Sequence, residues 1–544
     1  MKKAILMLFL TLLALKLLLI PLVTVPLGFS DSLAYFEQAK AFYETGSIKE
    51  VIETAKFPPL YAMVISPSYF SEDMETVFFV MKIINAIISS LVIIPASLLA
   101  REFMSKKKSL MVATITAFLP GIFSMTFYVL SENLFLPLFL FAVYFVLKTY
   151  TDDKKYWSML AGATISFCLL TRVAAVVFIP LLILMTLLHI KKRWKKMAST
   201  LLWATLTILP WLIVKGTQTK ASTGAFQGYN AELFAVINIP YLPTKILWSF
   251  LYLDYLIIGA GIIIFILSLS LLFNYKSCTN NEKLFLIIVG IITICTIALA
   301  ANNSGNVSPY TDHRVIGRYL ITLFPLLIPL SFLALEKEVL KKKVIVGTAG
   351  FILVVTPLII FGTFFPINNT EWIPIELLKL GTNYPSVIST ILITSILTLI
   401  TLSFLGVKQW KTKTYATIII IYFITVSMLN TSAIVYDTNV RWIPIEEVQL
   451  GRWISENIPP EATFYFDPND LEYFEEGTTI DRTNENDRPV TIIAYWIRGN
   501  IVNSGEILHK TEELTEEYEY LITTKELDLE KVREGETIII YKVP

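Results

Sequence analysis

Cysteine and histidine are nearly missing from this 544-residue chain, which has three of each. Cys168 and Cys295 fall inside apolar runs and Cys278 in a short basic loop, so a disulfide framework is excluded. No C-x-x-C pair occurs, and His189, His313 and His509 are too scattered for a zinc site, so no metal site is expected. Nucleotide-phosphate motifs are also missing. There is no G-x-x-x-x-G-K-S/T and no strand-linked G-x-G-x-x-G, which excludes direct ATP-driven chemistry through such a loop. Charged residues make up 16% of the chain and the formal net charge is +1, so no basic field points to a nucleic-acid partner.

Apolar residues are abundant. They form 55% of the chain, and the mean hydropathy is +0.63. They come in runs of about 20, the length a helix needs to cross a bilayer. Runs at 4–27, 76–100, 109–127, 131–148, 157–171, 173–189, 198–214, 246–273, 284–301, 318–335, 344–364, 386–406 and 415–436 predict about 13 transmembrane helices. The first is read as a retained helix rather than a signal peptide, because it is long, carries Lys16 and lacks a small-x-small cleavage site. Alternate short loops are basic, among them Lys106–Lys108, Lys191–Arg193, Lys341–Lys343 and the loop with Lys408, Lys411 and Lys413. This places the N-terminus in the cytoplasm of a multi-pass cell-membrane protein.

The expected architecture is a polytopic helical domain over 1–436 and a small soluble α/β domain over 437–544 on the extracytoplasmic side. In the latter, strands are expected at Thr463–Phe466, Val490–Ile497, Tyr520–Thr523 and Thr537–Tyr541, and helices at Ile445–Ile458 and Glu526–Arg533. A short repeat, Trp372-Ile-Pro-Ile-Glu376 and Trp442-Ile-Pro-Ile-Glu446, opens two outer segments. Pro in a first helical turn and Trp at the bilayer interface suit any helix lying on a membrane surface, a local duplication accounts for it equally well, and neither reading attaches chemistry to it.

The first outer loop, 28–75, organises the rest. Asp31 follows the first span, an amphipathic run with Tyr35, Ala39, Phe42 and Tyr43 comes next, and Lys56 precedes Pro58-Pro59 and Tyr61. Other polar groups stand at the outer ends of helices: Glu132 in Ser131-Glu132-Asn133, Arg172 in a turn too short for a solvated loop, and a loop with His313, Arg314, Arg318 and Tyr319. A carboxylate in a partly desolvated cavity suits a general base. Arginines suit bidentate binding of phosphate, and apolar helices suit a lipid tail. Together they predict glycosyl transfer from a lipid-phosphate sugar, whose departing phosphate develops charge that preset cations stabilise.

The order of acid after the first helix, Pro58-Pro59-Leu60-Tyr61, Ser131-Glu132, Arg172 and Arg318-Tyr319-Leu320 with Pro325 resembles the GT-C glycosyltransferases, in the protein-mannosyltransferase and aminoarabinose-transferase branch. The resemblance implies a polyprenyl- or dolichyl-phosphate sugar as donor and no separate cofactor. It implies Asp31 as catalytic base, Lys56 near the donor phosphate, Arg318 and Tyr319 as a late donor-binding element, and Arg172 and Glu132 at the family's scattered polar positions. The residues themselves add Arg314, with Arg172, as a donor-binding candidate, and Tyr35, Tyr61 and His313 as further site candidates. Asp31-Ser32 stands where protein mannosyltransferases show Asp-Glu, and Phe57 separates Lys56 from the proline pair. No WWDYG-like element or D-x-D at Asp31 is present, which disfavours an oligosaccharyltransferase and its metal. The rival class, a transporter or lipid flippase, places its ionisable groups near the bilayer midplane and repeats whole helix bundles. Here the polar groups concentrate at one edge.

Overall fold

The computed structural model describes residues 2–26, 30–54, 57–188, 190–218, 242–305, 315–361, 367–368, 386–406, 411–466, 489–498, 500–502, 519–524 and 526–543. The chain folds into two compact units. One comprises Met1–Leu13, Ile88–Met125 and Ser131–Asn430; the other comprises Ala14–Ile87, Thr126–Leu130 and Thr431–Pro544.

Among the described residues, eight helices are long and apolar enough to cross a membrane, or up to ten if each of two bent pairs is one span. This is a multi-pass membrane protein. Full-length spans are fewer than the 13 expected, because three expected runs form shorter helices, Tyr156–Thr171, Val173–Leu187 and Phe324–Glu336. The last begins at Phe324 rather than 318 because Val315–Tyr319 is taken up by a short strand and a 3₁₀ turn. The run at 246–273 is broken between Leu242–Gly259 and Ile262–Leu272 by a bend of 111°. Gly261 makes that corner at φ +84°, a backbone region that disfavours side chains with a Cβ. Pro120 starts the second half of the other pair, Lys106–Ala117 and Pro120–Phe127, bent by 70°.

In the first unit small and hydroxylic residues join the helices, as expected where neighbouring lipid offers no hydrophobic drive for helix association. Ser166 Oγ donates to the Ala204 carbonyl (2.6 Å), Ser268 Oγ to the Leu327 carbonyl (2.9 Å), and Tyr415 OH to Ser331 Oγ (3.0 Å). Thr356 Oγ1 donates to buried Asp254 Oδ2 at 2.8 Å. Val315–Ile316 (β1) pairs in parallel with Ile367–Asn368 (β2).

In the second unit the first helix ends in a 3₁₀ turn, Ile20–Leu22, where Pro21 breaks the ladder. Lys82, in the helix Met74–Ser90, is buried and donates to the carbonyls of Ile20 (3.2 Å) and Val23. It thereby satisfies acceptors that the helix end leaves without partners. The C-terminal residues form a five-stranded sheet from Thr463–Phe466 (β3), Asn500–Val502 (β4), Tyr520–Thr523 (β5), Glu530–Glu534 (β6) and Ile539–Lys542 (β7). The order is β4-β3-β5-β7-β6, with β3 parallel to β4 and β5 and the remaining pairs antiparallel.

Alternate residues of β3 serve two cores: Phe464 and Phe466 pack with Leu450, Ile454 and Ile493, and Tyr465 with Leu521 and Tyr541. The stretch expected as a strand at Val490–Ile497 opens instead with the helix Pro489–Ala494, which puts Pro at its first position and Ile493 into the core. The stretch expected as a helix at Glu526–Arg533 instead supplies β6, whose pairing with β7 overrides local helix propensity. In the second copy of the repeat, Glu446 opens the helix Glu446–Asn457 and accepts from Thr537 N (2.8 Å), Thr537 Oγ1 (2.6 Å) and Ile538 N (2.9 Å). The Trp372–Glu376 copy lies outside the described residues.

Gly162 sets the close approach of helix Tyr156–Thr171 to helix Ile190–Gln218. A Cβ there would fall on the Thr200 carbonyl and the Ala204 N–H. Alanine in a helix interior normally gains about 1 kcal/mol over glycine. Here overpacking against backbone, roughly 1–3 kcal/mol, outweighs it. Gly162→Ala is expected to lower the melting temperature in detergent, and an unchanged or raised value would contradict the close packing.

Candidate active site

Three predicted residues meet inside the first unit. Glu132 opens the helix Glu132–Thr151 directly after Ser131, where the helix dipole favours a carboxylate. The residue is 2% exposed. Arg172 ends the helix Tyr156–Thr171 with extended backbone (φ −152°, ψ 136°), its N–H bonded to the Cys168 carbonyl at 2.8 Å. A 3₁₀ turn, Val173–Val177, follows at once, so the chain reverses with the arginine at its corner. Its guanidinium ion-pairs with Glu132 Oε1, and Nη1 lies 3.5 Å from Ser131 Oγ.

Arg318 arrives from the opposite direction in sequence. It sits in the 3₁₀ turn Gly317–Tyr319 that follows β1. Tyr252 OH accepts the Ile316 N–H (3.0 Å) and shares a hydrogen bond with Ser304 Oγ (2.8 Å); Asn303 Nδ2 donates to Tyr319 OH (3.1 Å). The turn is therefore tied to two helices on either side of it. Arg318 Nε lies 3.9 Å from Glu132 Oε1. The side chains of Arg172 and Arg318 are 14% and 13% exposed, so both cations sit largely out of water. They line a recess with Tyr319, Thr296 and Thr322, and with Phe135, Phe139 and Leu299 on its apolar wall. Two guanidiniums face one carboxylate beside hydroxyls and apolar surface.

Asp31 belongs to the second unit. It is the second residue of the helix Ser30–Thr45, half-buried. The loop folds upon itself through Gln38 Nε2, which donates to the carbonyls of Val51 (3.0 Å) and Phe57 (3.0 Å). Tyr35 is buried with its ring 5.3 Å from that of Phe57 and edge-on to Tyr61 at 5.0 Å. Tyr61 OH donates to Asn85 Oδ1 (3.0 Å), whose Nδ2 donates to the Tyr128 carbonyl (2.9 Å). Both tyrosines are thus part of an aromatic cluster one helical turn beyond Asp31. Lys56, His313 and Arg314 lie outside the described residues.

Sequence reasoning passed over Thr296 and Thr322, which carry no signal distinguishing them from other threonines in apolar helices. It also passed over Lys82, a single charge in a long apolar run, which is such a signal. Among the described residues no group of three or more His, Cys, Asp or Glu side chains is arranged to hold a metal ion.

Residues 57–214 match a family model described as dolichyl-phosphate-mannose-protein mannosyltransferase. No curated protein matches the sequence significantly. Among solved structures, ArnT from Cupriavidus metallidurans bound to undecaprenyl phosphate is similar over 99% of this chain and 98% of its own, at 13% identity and a TM-score of 0.59. Its apo form is similar over the same shares at 12% identity and a TM-score of 0.54. At such identity the likeness is one of fold.

Removing one partner from a buried ion pair typically costs about 3–5 kcal/mol, because the other charge is left without compensation. Glu132→Gln leaves two guanidiniums facing an amide, and a loss of about 3 kcal/mol or more is expected. Thermal unfolding of the purified protein reads it, and a melting temperature equal to wild type would show that Glu132 does not hold the cluster.

Proposed function

We propose that this chain, a GT-C superfamily glycosyltransferase by its family match and its fold, moves one sugar from a polyprenyl- or dolichyl-phosphate donor to an acceptor on the extracytoplasmic face. The observation that carries the reading is the buried Arg172–Glu132–Arg318 cluster, two guanidiniums held on one carboxylate beside an apolar wall. A lipid-linked phosphate has both features such a recess accommodates, an anion and a hydrocarbon chain. The matching family, dolichyl-phosphate-mannose-protein mannosyltransferase, and the similar structure bound to undecaprenyl phosphate support the same donor class.

In this reading Arg172 and Arg318 bind the donor phosphate, with Tyr319 and the hydroxyls of Thr296 and Thr322 beside them. Glu132 holds the two guanidiniums in place. Asp31 accepts the proton of the acceptor hydroxyl or amine as that group attacks the anomeric carbon. The bond from that carbon to the phosphate oxygen breaks, its electron pair leaves on the phosphate, and the arginines stabilise the added charge without moving. Attack by one base-assisted nucleophile in a single displacement inverts the anomeric configuration. Lys56 is assigned to the phosphate by the resemblance, and Arg314, with His313 beside it, by the positive charge of its outer loop. The N-terminus is assigned to the cytoplasm by the loop charges.

Purified protein given a radiolabelled polyprenyl-phosphate hexose and a crude acceptor fraction is expected to release the lipid phosphate. Asp31→Asn is expected to reduce release by about 10²- to 10⁴-fold while donor binding persists, the contribution of a positioned base. Arg318→Ala is expected to weaken donor binding about 10-fold or more, the loss of one charge-assisted contact of about 1.5–3 kcal/mol. Full release by Asp31→Asn would remove the base assignment but not the enzyme class. Donor carried intact across a liposome, with no phosphate released, would favour a flippase.

A further inference from the structure

The helix that carries Asp31 is gripped from the C-terminal residues of its own unit. Tyr495 and Arg498 stand three positions apart after the helix Pro489–Ala494. The Tyr495 ring meets Phe36 of the helix Ser30–Thr45 edge-on at 5.4 Å. Arg498 donates to the Ser71 carbonyl and, at 3.2 Å, to the Tyr69 carbonyl, and its guanidinium lies 5.9 Å from the centre of the Tyr69 ring. Tyr69, 2% exposed, closes the circuit: its hydroxyl donates to the Phe36 carbonyl at 3.0 Å. Burial, the largest influence, with nearby Glu37 adding to it, pushes the Tyr69 phenol well above its ordinary range. It therefore keeps its proton, and this bond, across the pH range in which the protein works.

The carbonyls that Arg498 takes belong to the end of the 3₁₀ turn Ser66–Phe70 and the residue after it, where helical acceptors run out of partners and a cation is favourable. Among the described residues Arg498 forms no ion pair with a carboxylate. Its donors are used on the backbone. The helix Glu446–Asn457 adds a second grip nearby, with Arg452 Nε on Glu75 Oε1 (2.7 Å) and Ser455 Oγ accepting from Met74 N (3.4 Å).

We infer that Arg498 and Tyr69 are positioning residues, through which the C-terminal domain sets the helix bearing Asp31 in its working place. Phe36 lies five residues from Asp31 on that helix, so a displacement at Phe36 is transmitted along a rigid rod to the acid. The inference rests on Asp31 being the base. It goes beyond that reading by giving the C-terminal domain a role in turnover. Arg498 touches neither the sugar nor the phosphate in this account.

The experiment compares Arg498→Ala, Arg498→Lys, Tyr69→Phe, the double variant Arg498→Ala/Tyr69→Phe, and Asp31→Asn, all in the full chain, with a polyprenyl-phosphate hexose as donor. Misplacing a catalytic group by about 1 Å costs on the order of 10²-fold. Arg498→Ala is expected to lower kcat about 10- to 100-fold with the donor KM within about 2-fold of wild type. Arg498→Lys, which keeps the charge but not the fork, recovers part of the loss. Tyr69→Phe falls in the same direction, and the double variant loses little more than Arg498→Ala alone, because both act on one circuit. Wild-type kcat in Arg498→Ala, with Asp31→Asn inactive, overturns the positioning role and leaves the base assignment standing. Equal collapse of kcat and donor binding in Arg498→Ala and Arg498→Lys also overturns it, since general loss of structure would explain both. Undiminished turnover by Asp31→Asn overturns the base assignment and this inference together.

Discussion

Burying charge is the hardest thing the first unit does. Glu132 and two arginines are taken largely out of water, and desolvation costs several kcal/mol per ion unless geometry and hydrogen bonds compensate. That requirement governs the local architecture. One helix has to begin at Glu132, another has to stop so that Arg172 turns a corner, and the chain before Phe324 has to leave the helix so that Arg318 can reach the same carboxylate. The hydrogen bonds of Tyr252, Ser304, Asn303 and Tyr319 then keep the 3₁₀ turn from relaxing away. A run of apolar residues that would otherwise make an ordinary span is shortened to serve the cluster.

The second unit solves a different problem. A polar loop and a small sheet domain have to be ordered with little core of their own. Backbone acceptors stranded at helix ends become the anchor points: Lys82 takes those of the first helix, Gln38 ties the loop, and Arg498 takes those at Tyr69 and Ser71. Glu446 does the converse, gathering N–H donors at the turn before β7 with one carboxylate. The Trp-Ile-Pro-Ile-Glu motif is in this copy a connector, and its glutamate is the hook.

The multi-helix membrane architecture was legible because apolar run length is set by bilayer thickness. Thr463–Phe466 and Tyr520–Thr523 were legible to the residue, since both are short runs rich in β-branched and aromatic residues set among charged and polar ones. Glu132, Arg172 and Arg318 stood out because each is a charge at the edge of an apolar run. Their mutual pairing did not, as nothing local records that residues 40 and 186 positions apart will meet. The bends at Gly261 and Pro120 were hidden for the opposite reason: hydropathy averages over the single residue that turns the chain. Val490–Ile497 misled because a β-branched run in a buried helix reads as a strand, and the decisive sign was the proline before it. Glu526–Arg533 misled because pairing with β7, remote in pattern if not in distance, decides its state.

With Arg172 and Arg318 proposed as phosphate-binding residues, a pair of arginines alone would be the stronger trap, so the presence of Glu132 needs a physical reason. Two like charges about 4 Å apart at an effective dielectric near 20 repel by about 4 kcal/mol, enough to splay unsupported guanidiniums before any ligand arrives. A shared carboxylate converts that repulsion into attraction and holds both forks ready. It also offsets part of their positive charge, which in the proposed reading weakens ground-state capture of the phosphate. For a transferase that is favourable. The donor carries its charge on arrival, and the transition state adds more on the bridging oxygen, so a moderate cationic field acts preferentially on what develops during the reaction. A site built only to hold a lipid phosphate gains nothing from such restraint.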